Sequence, residues 1–220
     1  MKKDLKKTSL LDLWKNKSKN QNDTLKLTKV PISDFYELSS PQKRLWFLQE
    51  LYPKNTFYNL SQYYLFKGEL NIDFLKKSLN VIFEKHQILK SYYQTENGKT
   101  FLRIDDSIKL PITDKNFSSL PENEADLKVK NYIKELSNFN FNLSQAPLIN
   151  ASIIKVSKSK HILFLTLHHI IADQWSMGIL KEELANNYTK LSNGLLPEIS
   201  ENTISFVDYA HWQNLNQSFD

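Results

Sequence analysis

The stretch from 161 to 180, HILFLTLHHIIADQWSMGIL, gathers the side chains best suited to chemistry: His168 and His169 adjacent, then Asp173, then Ser176. An imidazole accepts and returns a proton near neutrality, and a positioned acid-base group of this kind is worth roughly 10²- to 10⁴-fold in rate. Two other chemistries compete for the same residues. A metal site would need both histidines on one ion, but successive side chains of a strand point to opposite faces, and the chain has no His-Glu-x-x-His pattern. A serine nucleophile would need a Gly-x-Ser-x-Gly elbow, and Trp175-Ser176-Met177 is not one. Ser176 suits a helix cap better.

The elements that position these groups follow from hydrophobic period. Ile162 to Leu167 is an apolar run of strand length, as expected of an interior strand buried on both faces. It brings the two histidines to its end, where alternation turns one into the packing and opens the other toward a surface or cleft. Beyond the loop, Ile179, Leu180, Leu184, Tyr188 and Leu191 recur at helical spacing. Upstream, Ser40-Pro41 reads as a cap and first turn of a helix to about Leu51, and Tyr63 to Phe66 as a strand closed by Gly68. Leu75, Leu79, Ile82, Phe83 and His86 mark one face of the next helix, with His86 placed for a structural, hydrogen-bonded role. Asn97-Gly98 joins Ile88–Gln94 to Thr100–Ile104 as a hairpin. A polar helix is expected over 122–136 and a strand over 149–156, which turns back through 157–160 to pair antiparallel with the histidine strand. A last helix spans about 205–216. Strands interleaved with helices predict an α/β fold, helices packed on a mixed sheet.

Composition narrows the class. The 220 residues hold no cysteine, so there is no disulfide, thiolate metal site or thiol nucleophile. The net charge of +5 is concentrated at the start: nine lysines against three aspartates in residues 1–30 leave the remainder near −1. With only Arg44 and Arg103 as arginines, a nucleic-acid surface is not expected. No apolar run reaches the length of a membrane span, and the start lacks the apolar core of a secretory signal, so a soluble, cytoplasmic protein is expected. Residues 1–30 read as a lysine-rich leader, solvated or serving as a docking segment.

The pattern His168-His169-x-x-x-Asp173-x-x-Ser176 resembles the signature of the condensation domains of nonribosomal peptide synthetases. Its shorter form, His-His-x-x-x-Asp, is shared with the wider chloramphenicol-acetyltransferase-like superfamily. Leu38-Ser39-Ser40-Pro41-Gln42-Lys43-Arg44-Leu45-Trp46-Phe47-Leu48 is similar to the family's first motif, Ser-x-Ala-Gln-x-Arg-Leu-Trp-x-Leu. Lys85-His86-Gln87-Ile88-Leu89-Lys90-Ser91 resembles its Arg-His-Glu-x-Leu-Arg-Thr, and Asp208-Tyr209-Ala210-His211-Trp212-Gln213 its Asp-Tyr-Ala-x-Trp-Gln. The four occur in the family's order between about residues 33 and 215. Trp175-Ser176 and the Leu45–Leu48 run look more like condensation than epimerization domains, and the intact histidine pair is unlike heterocyclization domains.

This resemblance implies a chloramphenicol-acetyltransferase-like lobe with a mostly antiparallel sheet. Residues 31–220 would form the N-terminal lobe of a condensation domain whose C-terminal lobe is absent. It implies attack of a carrier-bound aminoacyl amine on a carrier-bound acyl or peptidyl thioester. The substrates would ride on phosphopantetheine of donor and acceptor peptidyl carrier proteins, with no cofactor or metal bound directly, and neighbouring synthetase modules as partners. Among the catalytic-motif residues, the base role falls on His169, a structural role on His168, and loop shaping through a salt bridge on Asp173. Arg44, Asn150, Gln174, Trp175 and Ser176 would shape the site. Three positions depart from the pattern. Gln174 stands where glycine is usual, Pro41 replaces alanine, and Asn150 replaces the arginine that would pair with Asp173, leaving that carboxylate to find Arg44, Arg103, a lysine or water. The rival readings are a free-standing acyltransferase using coenzyme A thioesters and a non-catalytic fragment that binds carrier protein.

Overall fold

The computed structural model describes residues 26–199 and 204–217, so most of the expected leader lies outside the described residues. The elements in chain order are β1 (Tyr36–Glu37), α1 (Ser40–Leu51), β2 (Asn59–Lys67), α2 (Ile72–Lys85), a 3₁₀ turn (Gln87–Lys90), β3 (Ser91–Glu96) and β4 (Lys99–Ile104). They continue with β5 (Ile112–Asn116), α3 (Glu122–Ser137), β6 (Ile149–Lys155), β7 (Lys160–His168), α4 (Gln174–Ser192) and α5 (Phe206–Gln217).

β7 is the strand predicted from the apolar run, and it is buried at every position from His161 to His168. It owes that burial to flanking strands and covered faces. β2 pairs antiparallel along its whole length, Asn59 opposite His168 and Lys67 opposite Lys160. β6 pairs antiparallel on the other side, and β5 joins β6 in parallel at the edge, giving the order β2-β7-β6-β5. Leu163, Leu165 and Leu167 pack with Leu75, Leu79, Ile82 and Phe83 of α2 and Met177, Leu180 and Leu184 of α4. Ile162 and Phe164, on the opposite face, pack against Ala125 and Val129 of α3. The sheet is thus sandwiched between helices, and each fully buried leucine or isoleucine contributes about 1.5–3 kcal/mol of transfer free energy.

A second sheet of order β1-β4-β3 lies beside this core and lends it Tyr93 and Leu102. Its hairpin turns at Asn97 (φ 51°) and Gly98 (φ 76°), the two left-handed residues that a tight antiparallel turn requires. β1 and β5 were not expected from sequence. β1 is a two-residue bridge to Leu102 and Phe101, and four of the five residues of β5 are exposed, so pairing rather than local preference makes both extended. The hairpin strand expected from Ile88 starts at Ser91, after the 3₁₀ turn.

Two helix starts differ from expectation. Ser39, not Ser40, caps α1: its Oγ accepts the Gln42 N–H at 3.4 Å while Gln42 Oε1 accepts the Ser39 N–H at 3.0 Å, a reciprocal capping box. Asp173, not Ser176, caps α4.

Candidate active site

The two histidines leave the end of β7 in different environments. His168 is 1% exposed, on the β7 face that also carries Thr166 and looks toward α3. The Tyr58 and Phe141 rings sit with centroids 6.4 Å from its own. Its Nδ1 accepts the Ile170 N–H at 3.1 Å, so the proton of the neutral ring sits on Nε2, which is buried and meets no acceptor. Burial, and secondarily the neighbouring His169, push its pKa down to about 4. His168 is therefore a neutral packing group, with its only acceptor nitrogen spent on backbone.

His169 is exposed, and its imidazole has no hydrogen-bond partner among the described residues. Its backbone is held tightly. The His169 N–H donates to Tyr58 O at 2.7 Å, the His168 N–H to Leu148 O at 3.0 Å, and the Ile171 N–H to His168 O at 3.1 Å. Ile170 O, one residue beyond, accepts from Gln42 Nε2 and from the Tyr93 hydroxyl, both at 3.2 Å, and Gln42 Nε2 also donates to the Tyr93 oxygen at 2.9 Å. Gln42 and Tyr93 are 2% and 1% exposed. Sequence reading named neither as a site residue. Two signals for Gln42 were in the sequence: the Ser39-x-x-Gln42 spacing of a capping box, and its place at the glutamine of the first motif.

Asp173 differs from the expectation of a buried carboxylate seeking a cation. It is exposed, and its Oδ1 accepts the Ser176 hydroxyl at 2.6 Å and the Ser176 N–H at 2.8 Å. Those two bonds, the hydroxyl's first, hold its pKa below the usual carboxylate range. No ion pair reaches it among the described residues: Arg44 is exposed on α1, and Arg103 pairs with Glu96. Asn150 lies half-buried on β6 opposite Thr166, so the position without an arginine leaves no bare charge behind. Gln174 is the first residue of α4 in ordinary helical conformation, and nothing there demands glycine. Trp175 follows it, 81% exposed.

The other motif residues brace this loop from outside. His86 caps the end of α2, and its Nε2 meets Glu183 Oε2 on α4 at 2.6 Å, while Lys85 holds Glu183 Oε1 at 2.6 Å. That is the structural role expected of His86. Gln213 Oε1 accepts the Ser40 N–H at 3.1 Å and Asn214 Nδ2 donates to Leu38 O at 3.0 Å, so α5 clasps the start of α1. A cleft of about 520 Å³, lined by His161, Lys155, Leu70 and Asp114, opens at the opposite end of β7 and holds no part of the histidine motif.

The layered α/β architecture is the chloramphenicol-acetyltransferase-like fold. It superposes on the starter condensation domain of rhizomide synthetase with a TM-score of 0.75 at 20% identity, covering 84% of this chain and 46% of that one. On the X-domain from teicoplanin biosynthesis the TM-score is 0.75 at 25% identity, covering 88% and 41%. The model of the condensation domain family matches residues 32–220, and the chain belongs to that family, whose known role is peptide-bond formation. Among its relatives, surfactin synthase subunit 2 of Bacillus subtilis (strain 168) is 36% identical over 181 residues, covering 82% of this chain and 5% of that protein. Malpibaldin synthetase of Mortierella alpina is 31% identical over 188 residues, covering 85% and 3%. The chain thus spans a small fraction of these relatives' length and less than half of the solved chains. Among the described residues no helix is long and apolar enough to cross a membrane.

Proposed function

We propose that residues 31–220 form the histidine-bearing lobe of a condensation site that joins a carrier-bound aminoacyl amine to a carrier-bound acyl or peptidyl thioester. The amine nitrogen attacks the thioester carbonyl carbon, the C–N bond forms and the C–S bond breaks. His169 takes the proton leaving the nitrogen and returns it to the departing phosphopantetheine thiolate. Donor and acceptor carrier proteins deliver the two arms, and a second lobe covers the site. Trp175, 81% exposed, and Phe57, 91% exposed, stand at the ends of the segments that bracket His169 and suit such a cover. One observation carries the reading: an imidazole without a hydrogen-bond partner among the described residues, on a backbone fixed by its neighbours, at the end of an interior strand.

The test is single-turnover dipeptide formation in a chain that carries both lobes, with loaded donor and acceptor carriers. His169→Ala should lower the rate by roughly 10²- to 10⁴-fold without lowering the melting temperature, since the side chain is exposed. An undiminished rate in that variant would remove His169 from the mechanism. Equal transfer from coenzyme A thioesters and from carrier proteins would point to a free-standing acyltransferase instead.

A further inference from the structure

We infer that Gln42 and Tyr93 are positioning residues for His169, acting through the carbonyl of Ile170; this rests on the proposed role of His169. The three groups form a closed triangle. Gln42 Nε2 has two protons, one directed at the Tyr93 oxygen at 2.9 Å and one at Ile170 O at 3.2 Å. The Tyr93 hydroxyl has one proton, also directed at Ile170 O at 3.2 Å. Ile170 O, with two lone pairs, is thereby filled, and Gln42 Oε1 is taken by the Ser39 N–H at 3.0 Å. Every donor of both side chains is used, and the amide of Gln42 has one orientation that satisfies the set. Burial raises the Tyr93 phenol above its ordinary range, so the hydroxyl keeps its proton.

Stability alone gives no reason for this arrangement. Gln42, Tyr93 and Ile170 are each 2% exposed or less, and apolar packing would fill the same space without desolvating two polar side chains. What the triangle supplies is location. His169 N–H is committed to Tyr58 O at 2.7 Å and Ile170 N–H to His168 Nδ1 at 3.1 Å, which holds the two peptide groups flanking the His169 Cα. The triangle holds Ile170 O in the next peptide, so three consecutive peptide groups are anchored and the segment cannot pivot beyond His169. A free imidazole has a defined place only if its Cα has one, and loss of about 1 Å in placement costs on the order of 100-fold in a positioned reaction. The first sequence motif thus reaches the histidine motif through a side chain, across 128 residues of sequence.

The experiment uses Tyr93→Phe, Gln42→Met and the double variant, all of similar volume to the native residues. In the 220-residue chain, amide hydrogen exchange is followed by NMR at His169 and Ile170, with Leu163 and Leu165 in mid-strand as controls. In a chain carrying both lobes, single-turnover condensation is measured against carrier concentration. Each single variant leaves one donor on Ile170 O, so the double variant is expected to exceed the product of the singles. It should speed exchange at His169 and Ile170 by about tenfold or more, leave Leu163 and Leu165 unchanged, and lower the maximal rate by about tenfold at unchanged half-saturating carrier concentration. If the double variant does not fold, Tyr93→Phe carries the test, with about threefold changes in the same directions. Full protection of His169 and Ile170 overturns the inference. So does lost protection with an unchanged rate in a chain whose rate falls on His169→Ala. An unchanged rate on His169→Ala removes instead the functional reading on which the inference stands.

Discussion

The buried His168 ties stability to pH in a way that can be worked out from its surroundings. Protonating it would place a new N–H on Nδ1, directly against the Ile170 N–H that now donates to that nitrogen, in a pocket walled by Tyr58 and Phe141. The folded pKa of about 4 lies below the unfolded value of about 6.5. Below pH 6.5 the unfolded chain therefore takes up a proton that the folded chain refuses, and stability falls as pH falls until the folded pKa is reached. Linkage over that gap amounts to about 3 kcal/mol in all, of which about 2 kcal/mol is lost between pH 7 and pH 5. The informative variant is His168→Asn, because an asparagine Oδ1 occupies nearly the place of Nδ1 and keeps an acceptor for Ile170 N–H without a titrating group. Its smaller volume lowers stability at every pH and leaves the slope to report the histidine. Carboxylates held low by hydrogen bonds, such as Asp105 and Asp173, lose their contribution at lower pH and do so equally in both proteins. Urea unfolding at fixed ionic strength should show the native protein losing about 2 kcal/mol more than the variant between pH 7 and pH 5. At this size that is about 4–8 °C in melting temperature. Parallel pH dependences would refute the assignment of His168 as a neutral buried group.

Four further outcomes are expected. Asp173→Ala should cost about 1 kcal/mol by thermal unfolding through loss of the α4 cap, and Asp173→Ser much less; Asn150→Arg should bring no gain, because Asp173 already has its partners in Ser176, and a raised midpoint would show otherwise. Glu183→Met, which removes the bonds to Lys85 and His86 at similar volume, should lower stability by about 2 kcal/mol; a change near zero would mean that apolar packing alone joins α2 to α4. The 220-residue chain assayed by itself should form no dipeptide from loaded carriers and gain activity when a complementary lobe is added; dipeptide formed by it alone, at a rate lost on His169→Ala, would contradict this.

What sequence made legible here tracks the range of the forces involved. β7 could be read because its burial on both faces writes an unbroken apolar run, and the divergence of the histidines followed from strand alternation. Cap positions were missed by one residue at Ser39 and three at Asp173. At α1 two serines were adjacent, and Gln42 at the third helical position decides between them. At α4 the apolar period begins at Ile179, but the helix opens with the more polar turn Gln174 to Gly178. The salt bridge expected of Asp173 presumed a buried carboxylate, whereas exposure and Ser176 remove the need for one. β5 and the Gln42–Tyr93–Ile170 triangle were illegible for a shared reason: each is defined by partners far away in the chain, and nothing in Ile112–Asn116 or around Tyr93 encodes the partner.

These long-range links explain why the motif residues are scattered while the chemistry is local. Gln213 holds the start of α1, Gln42 of α1 holds Ile170, and His86 with Lys85 holds α4 through Glu183. Gln42 reaches the segment after β7 directly, while Gln213 fixes the helix that carries Gln42 and Glu183 fixes the middle of α4. On the proposed reading, only one ring nitrogen of His169 is needed for the proton, yet among the described residues neither nitrogen is bonded to protein, so the ring itself supplies no anchor. Placement then has to come from the main chain, and main-chain placement at a strand end requires buried donors and acceptors brought from other elements. The adjacent histidines divide these duties. His168 gives up its acceptor nitrogen and its charge to hold Ile170 N–H, and His169 keeps both nitrogens unbonded among the described residues. The two residues are chemically identical, so it is their position on the strand, one facing the packing and one facing solvent, that assigns each its role.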